Sequence, residues 1–338
     1  MNYPLCMRII ESSASIVPQE PGLIGAYKQI EKVGRACWAS ENLITEDSYD
    51  AFVKGLISRG HTAPLEHGTV YLVIMIGSPI YDPEYMFRSN IAIKFGNNPY
   101  SRVVRKSYDV AANAPADVAK YIEQHGPTQV FWITTNMRVI VESFDLDVLD
   151  FMVNKPHEEH VKRVTVHFTC QRAISAEFNR HRKDSIMERS SRYCNFSIDK
   201  FGNEIGIVPA DWLGETYSYP YEFIELVEDL YKHGSSDWRK IDYWMFANLA
   251  CEWSYMKLIE AGCKAEEARD ILPMDLQTEL YHTAFIDDWE HFFKLRAWNS
   301  KGNRPHPEAK KLAKQVYDRF VERGLVSQEL RIQNEIIE

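Results

Sequence analysis

The chain has 338 residues, 45% of them apolar and 26% charged, with a formal net charge of -9. That balance is the usage of a folded globular protein and fits neither a disordered chain nor a fibrous repeat. The acidic surplus argues against a surface built mainly for nucleic acid or anionic lipid, which needs a predominance of Lys and Arg, so any basic cluster must be local.

In chain order, the start MNYPLCMRIIESSAS lacks the basic head and apolar run of a secretory signal, so export is not expected. Helices are expected over Ala26 to Ala39 and Ser48 to Arg59, where apolar groups recur three and four apart, with Gly60 as the stop. The loop HTAPLEHG leads into VYLVIMI (Val70 to Ile76), which reads as a short buried strand ending at Gly77-Ser78-Pro79. It is the longest apolar run, far short of the roughly 20 residues a membrane helix requires. A second strand is expected at Val164 to Cys170 (VTVHFTC), followed by the helical pattern QRAISAEFNRHR.

Residues 77–163 read as an insertion with its own structure, since long unstructured loops are uncommon in compact domains. It holds turns at FGNNP and HGPTQ, a helix at Ala116 to His125, a strand at Val130 to Thr134 and a helical stretch from Met137 to Val153. The helical face Met137, Ile140, Val141 and Phe144 is expected to be buried. From Pro220 onward every segment reads as helical: Tyr221 to His233, Tyr243 to Ala261, Lys264 to Leu272, Gln277 to Arg296 and Pro307 to Arg323. The C-terminal third is therefore expected to be a helix bundle, with the aromatic residues from Trp238 to Trp253 mostly in its core.

The most informative stretch is RHRKDSIMERSSRY, which concentrates Arg180, His181, Arg182, Lys183, Arg189 and Arg192 in an otherwise acidic chain. Arginine forks bind phosphate oxygens bidentately, Ser185 and Ser190 add hydroxyl donors, and Glu188 could accept from a base or ribose hydroxyl. A charged, solvated helix end would share this composition but not its spacing. Arg-His-Arg, two residues, Ser, four residues, Ser, one residue, Arg resembles the signature RHRxxSxxxxSxR of flavin-dependent thymidylate synthases.

Upstream, RGHTAPLEH (Arg59 to His67) resembles that family's His-containing segment ending in P-x-E-H before a strand. Downstream, ARDILP (Ala268 to Pro273) and LRAW (Leu295 to Trp298) resemble its A-R-x-x-L-P and its later L-R. The resemblance covers residues 25–76 and 164–323. It implies that Arg180, His181 and Arg182 face FAD, with His61 and Glu66 closing over it. It also implies that Glu177, Glu188, Ser190, Arg192, Arg269 and Arg296 hold dUMP, with Ser190, Arg192 and Arg296 nearest the chemistry. The implied reaction is reductive methylation of dUMP by methylenetetrahydrofolate and NADPH-reduced FAD in a cytoplasmic homotetramer with active sites at subunit interfaces. The cofactor would carry the hard chemistry, the protein supplying orientation and electrostatics.

The chain departs from the family's pattern at three positions: Glu177 stands where Gln is common, Met187 where Asn is usual, and Ala63 where Thr is common. A carboxylate beside a nucleotide phosphate is unfavourable unless an arginine neutralises it, or unless it bonds a base or sugar group instead. Methylation of another pyrimidine nucleotide such as UMP is one rival reading, and a non-catalytic nucleotide-binding protein on the same scaffold is another. No alignment of His306 with a flavin contact is secure.

Other groups read more blandly. Six separated cysteines (Cys6, Cys37, Cys170, Cys194, Cys251, Cys263) without C-x-x-C fit reduced thiols, and Cys194 reads as inert rather than nucleophilic. His157-Glu158-Glu159-His160 spaces its histidines three apart, not four, and reads as a solvated charged turn rather than a metal site. The expected architecture is one enlarged α+β domain over 1–338, an antiparallel or mixed sheet packed against helices, with the insertion extending the sheet or covering an interface.

Overall fold

The structure is a computed structural model describing residues 7–198, 201–214, 223–299, 302, 304–327 and 330. Its first half runs β1 (Arg8–Ile9), β2 (Ser13–Val17), α1 (Gly22–Cys37), α2 (Ser48–Ser58), β3 (Thr69–Ile76), α3 (Tyr85–Gly96), β4 (Arg102–Tyr108), α4 (Ala116–His125), β5 (Thr128–Asn136) and α5 (Met137–Ser143). Next come β6 (Arg163–Gln171), α6 (Arg172–Phe178), β7 (Ser185–Glu188), β8 (Gly206–Ile207), α7 (Phe223–His233) and α8 (Lys240–Glu260). The chain closes with α9 (Ala265–Ala268), β9 (Gln277–Phe285), α10 (Ile286–Arg296) and α11 (Pro307–Glu322). The fold is α+β, as the sequence leads one to expect.

Two antiparallel sheets carry it, in the orders β2-β6-β9-β7 and β3-β5-β4, while β1 and β8 form a short parallel pair. Along β6, Val166, Phe168 and Cys170 alternate onto a core shared with Leu280 and Ala284 of β9 and with Trp289, Phe292, Phe293, Leu312 and Val316 of α10 and α11. Period-two burial is what fits a half-covered strand. A second core joins α1, α2, α3 and α5 to β3 and β5 through Ile30, Leu56, Leu72, Phe95 and Ile140. A third packs α7 and α8 onto the β1–β8 pair.

Several expectations hold locally. Gly60 adopts φ +70°, and the amides of Gly60 and His61 donate to the carbonyls of Ile57 and Leu56, closing α2 with a left-handed glycine. Pro307 begins α11, and His306 is its N-cap, its ring accepting from the Glu308 amide at 3.3 Å. That is a structural use for the residue with no secure family counterpart. The helix at Ala116 to His125 is α4, and β5 extends the strand expected at Val130 to Thr134.

Other expectations need correction. The segment Gln277 to Arg296 is not one helix: residues 277–285 form β9, hydrogen-bonded to β6 on one edge and β7 on the other, and only 286–296 are helical. The C-terminal third is therefore not a pure helix bundle. Its central strand is decided by pairing partners far away in sequence, which override a locally ambiguous pattern. The helical stretch Met137 to Val153 stops at Ser143, because Phe144 turns extended and stacks on Phe95 with ring centroids 4.0 Å apart. Residues 157–160 do form a turn with His157 and Glu158 exposed, but His160, which closes it, is buried, and its Nε2 lies 3.1 Å from the Leu72 carbonyl oxygen. Residues 77–163 contribute β4 and β5, and β5 pairs with β3 along its whole length. Tyr221 and Cys6 fall outside the described residues.

Candidate active site

The Arg-His-Arg motif sits on the turn between α6 and β7. Ile174 and Phe178 bury one face of α6 in the first core, and the helix stops at Phe178. The amides of His181 and Asp184 then donate to the carbonyls of Phe178 and His181 at 3.1 Å each, a tight turn that leaves Arg180, Arg182 and Lys183 exposed. Across from it runs α10. Its Trp289, Phe292 and Phe293 face the core, so Asp288, His291 and Leu295, at helical spacing, line the opposite wall. Together with Arg296 these residues bound a cleft of about 660 Å³.

Four cations, Arg180, Arg182, Lys183 and Arg296, therefore share one cleft with the carboxylates of Asp184 and Asp288. The acids are held at the wall by other partners. Asp184 lies 2.6 Å from His282 Nε2, and Asp288 accepts from Arg102 at 3.0 Å. His181 is nearly buried, and burial, His282 and Arg296 push its imidazole down to about 4, so it is neutral at physiological pH. It accepts a long hydrogen bond from Arg296 Nε at 3.4 Å, which only an unprotonated nitrogen can do. Arg296 also donates through Nη1 to the Glu177 carboxylate at 2.6 Å and through Nη2 to the Glu177 carbonyl at 2.8 Å.

The structure thus brings together Arg180, His181, Arg182, Arg296 and Glu177. Lys183 and His291 join them without having been singled out as ligand-binding; His291 was legible only as a residue of α10 on the face away from the core. The other site residues lie elsewhere in the single chain. Glu188 faces back onto α6, accepting from the Ser175 hydroxyl at 2.7 Å and the Asn179 amide at 3.1 Å. Ser190 donates its backbone amide to the Cys37 carbonyl at 2.9 Å. Arg192 is exposed, pairs with Glu266 at 2.8 Å, and lies 5.4 Å over the Tyr193 ring. Arg269 stands in the turn after α9, close enough to help lower the Glu266 carboxyl.

His61 is exposed beyond α2, and Glu66 pairs with Arg138 at 2.5 Å in a separate recess with Asn98, Tyr100 and Asn136. Neither lines the Arg180–Arg182 cleft. Cys194 is 1% exposed in the third core. Among the described residues, no group of three His, Cys, Asp or Glu side chains is placed to hold a metal, and no helix is long and apolar enough to cross a membrane.

The flavin-dependent thymidylate synthase of Thermotoga neapolitana is 26% identical over 167 residues, 49% of this chain and 67% of that protein. That of Pyrococcus furiosus is 26% identical over 168 residues, 49% of this chain and 59% of that protein. The chain therefore spans only about two thirds or less of these relatives. Among solved structures, the UMP/dUMP methylase PolB from Streptomyces cacaoi bound with 5-Br dUMP is 14% identical, with 94% of this chain and 93% of that one covered and a TM-score of 0.39. ThyX from Helicobacter pylori complexed with FAD and dUMP is 21% identical, with 46% and 66% covered and a TM-score of 0.31.

The family match covers residues 102–323, which takes in 102–163 of the segment set apart as an insertion and leaves out residues 25–76. It contains β6, the Arg-His-Arg turn, the Arg269 turn and α10. With well over half of its residues matched, the chain belongs to the Thy1 family, described as thymidylate synthase complementing protein.

Proposed function

We propose that this protein is a cytoplasmic, flavin-dependent thymidylate synthase that methylates C5 of dUMP to give dTMP. Methylenetetrahydrofolate would supply the one-carbon unit and NADPH the reducing equivalents. The methylene carbon enters one two-electron step above a methyl group, so a hydride donor is required. Bound FAD, once reduced, supplies that hydride.

The observation that carries the reading is the cleft in which Arg180, Arg182, Lys183 and Arg296 converge beside a neutral His181. The donor set fits a dinucleotide: guanidinium forks suit pyrophosphate oxygens, and an uncharged imidazole can bond a flavin or ribose group without repelling the arginines. Arg296, held in place by Glu177, would stand against negative charge developing on the pyrimidine. Arg192, Arg269, Ser190 and Glu188 would hold the nucleotide. Because they do not line the cleft with Arg180–Arg182, they fit a site completed by neighbouring subunits, in a homotetramer of single enlarged domains. His61 and Glu66 would close over flavin in the same way.

A second substrate is favoured by one observation. Glu177 pairs with the cleft residue Arg296, its carboxylate engaged by a single arginine nitrogen, leaving acceptor capacity that suits a ribose 2′-hydroxyl. The deciding assay supplies purified protein with FAD, NADPH and methylenetetrahydrofolate, gives dUMP and UMP in parallel, and quantifies C5-methylated nucleotide. Methylation of dUMP alone supports the main reading. Methylation of UMP moves the substrate, and bound flavin without product from either overturns the enzyme assignment in favour of a nucleotide-binding protein.

A further inference from the structure

Arg163 opens β6 beneath the turn Ala63–His67. Its Nη1 donates to the Glu66 carbonyl at 2.7 Å and to the Thr69 hydroxyl at 3.3 Å. Its Nη2 donates to the Ser185 hydroxyl at 2.6 Å, and Ser185 is itself buried. The guanidinium carbon stands 5.7 Å from the ring centroid of Phe285, its cross-strand partner on β9. Among the described residues no carboxylate lies within ion-pair distance of Arg163, and its buried Nε has no partner. Burial pulls the guanidinium down to about 10, so it remains charged at neutral pH.

A partly buried cation held only by neutral oxygens is a costly way to fill space, and an apolar side chain of similar volume would pack there more cheaply. What an apolar side chain could not do is join these particular groups. Glu66 belongs to the His-containing segment before β3, and Ser185 is the first serine of the RHRxxSxxxxSxR signature. A parallel link runs beside the first: His67 Nδ1 lies 2.7 Å from the Thr283 hydroxyl, which lies 2.8 Å from that of Thr165 on β6. The turn is thus tied to the sheet at two adjacent points, and only the Arg163 tie reaches the signature strand β7.

We propose that Arg163 is a positioning residue that clamps the Ala63–His67 turn to Ser185, so that the two motif segments keep a fixed spacing and each faces its flavin site rigidly. This rests on the reading that both segments serve a flavin site. Arg163 touches neither cofactor nor substrate; it acts through Glu66 and Ser185.

The test uses the full chain and free FAD, reading affinity by quenching of flavin fluorescence and geometry by visible circular dichroism of the bound flavin. Arg163→Lys keeps the charge but cannot span all three oxygens, and is expected to weaken FAD binding about tenfold and alter the dichroism. Ser185→Ala removes one end of the same link and is expected to weaken binding by a smaller factor. The double variant should be no worse than Arg163→Lys alone, because both changes break one connection. Val316→Ala, on the core face of α11, should lower the melting temperature with FAD affinity unchanged, separating the clamp from loss of general stability. Wild-type affinity and dichroism in folded Arg163→Lys would overturn the clamp while leaving the flavin reading intact. Should Arg163→Lys fail to fold, an unchanged FAD affinity in Ser185→Ala would overturn it instead. A wild-type protein that binds no FAD would overturn the flavin reading itself, and the clamp with it.

Discussion

Arg296, on the cleft wall, and Glu177 form a closed pair: one guanidinium nitrogen reaches the Glu177 carboxylate at 2.6 Å and another reaches its backbone carbonyl at 2.8 Å. The acid that departs from the family's usual glutamine is thus the group that aims the arginine at the end of α10. Both side chains are largely shielded, at 13% and 29% exposure, so the pair is stronger than a surface ion pair and more costly to break from one side. Removing Arg296 would strand a carboxylate beside the site expected to hold an anion. Arg296→Ala is therefore expected to reduce turnover by at least about 100-fold, as loss of a charge-stabilising donor does. Glu177→Gln should keep activity within about tenfold and bind dUMP more tightly, because it removes a negative charge but keeps an acceptor. Steady-state kinetics and calorimetric titration of dUMP check both, and equal behaviour of the two variants would count against the pairing as a functional device.

Arg192 has a different prospect. Among the described residues its ion pair is with Glu266, and both side chains are solvent-accessible, so it can exchange that partner for a phosphate at little cost. Arg192→Ala is expected to weaken dUMP binding by about 10-fold to 100-fold, the range of one charge-assisted hydrogen-bond pair, with FAD affinity nearly unchanged. Parallel titrations of the two ligands decide it, and equal loss of both in a folded protein would sink the assignment.

The depressed imidazole of His181 makes an acid-side prediction. In the unfolded chain the ring takes a proton near its ordinary value of about 6.5, whereas in the fold it stays neutral until about pH 4. Between those values the unfolded state binds more protons, so stability falls as pH drops from about 6.5 towards 4. His67, neutral through burial and the nearby Arg163, adds in the same direction. Urea unfolding at pH 7, 6 and 5 should show this decline, and His181→Gln should flatten it. An unchanged slope would mean the ring takes up its proton equally in the folded and unfolded states.

Glu252 predicts the opposite trend on the alkaline side. It is 1% exposed on α8, one oxygen accepting from the Ile205 amide at 2.9 Å and the other without a partner among the described residues, and burial raises its carboxyl to about 7. The folded state therefore keeps a proton that the unfolded chain loses near pH 4.5, so the stability this group contributes is present below that value and is lost as pH rises through about 7. Glu252→Gln, which cannot ionise, should be more stable than wild type at pH 8 by about 1–3 kcal/mol. Chemical denaturation at pH 6 and pH 8 measures it; a gap that does not widen with pH would refute a protonated Glu252.

What the sequence determined by itself was local. Apolar groups three and four apart mark α1 and α2, a short apolar run marks β6, Gly60 marks the end of α2, and six signature residues at fixed spacing mark the family. Each of these signals lies within about a dozen residues, the range over which backbone periodicity and turn chemistry act. Only the tertiary structure decided the rest. Gln277–Phe285 is a strand because β6 and β7 saturate both its edges, α5 ends where Phe144 meets Phe95, and His160 is buried because Leu72 offers it a carbonyl. Within the candidate site the sequence marked Arg180, His181 and Arg182 as a unit. It could not show that Glu177 would hold Arg296 or that Arg163 would join Glu66 to Ser185. Those contacts link residues distant along the chain, and their energy depends on burial and partner geometry that exist only once the sheets and helices have packed.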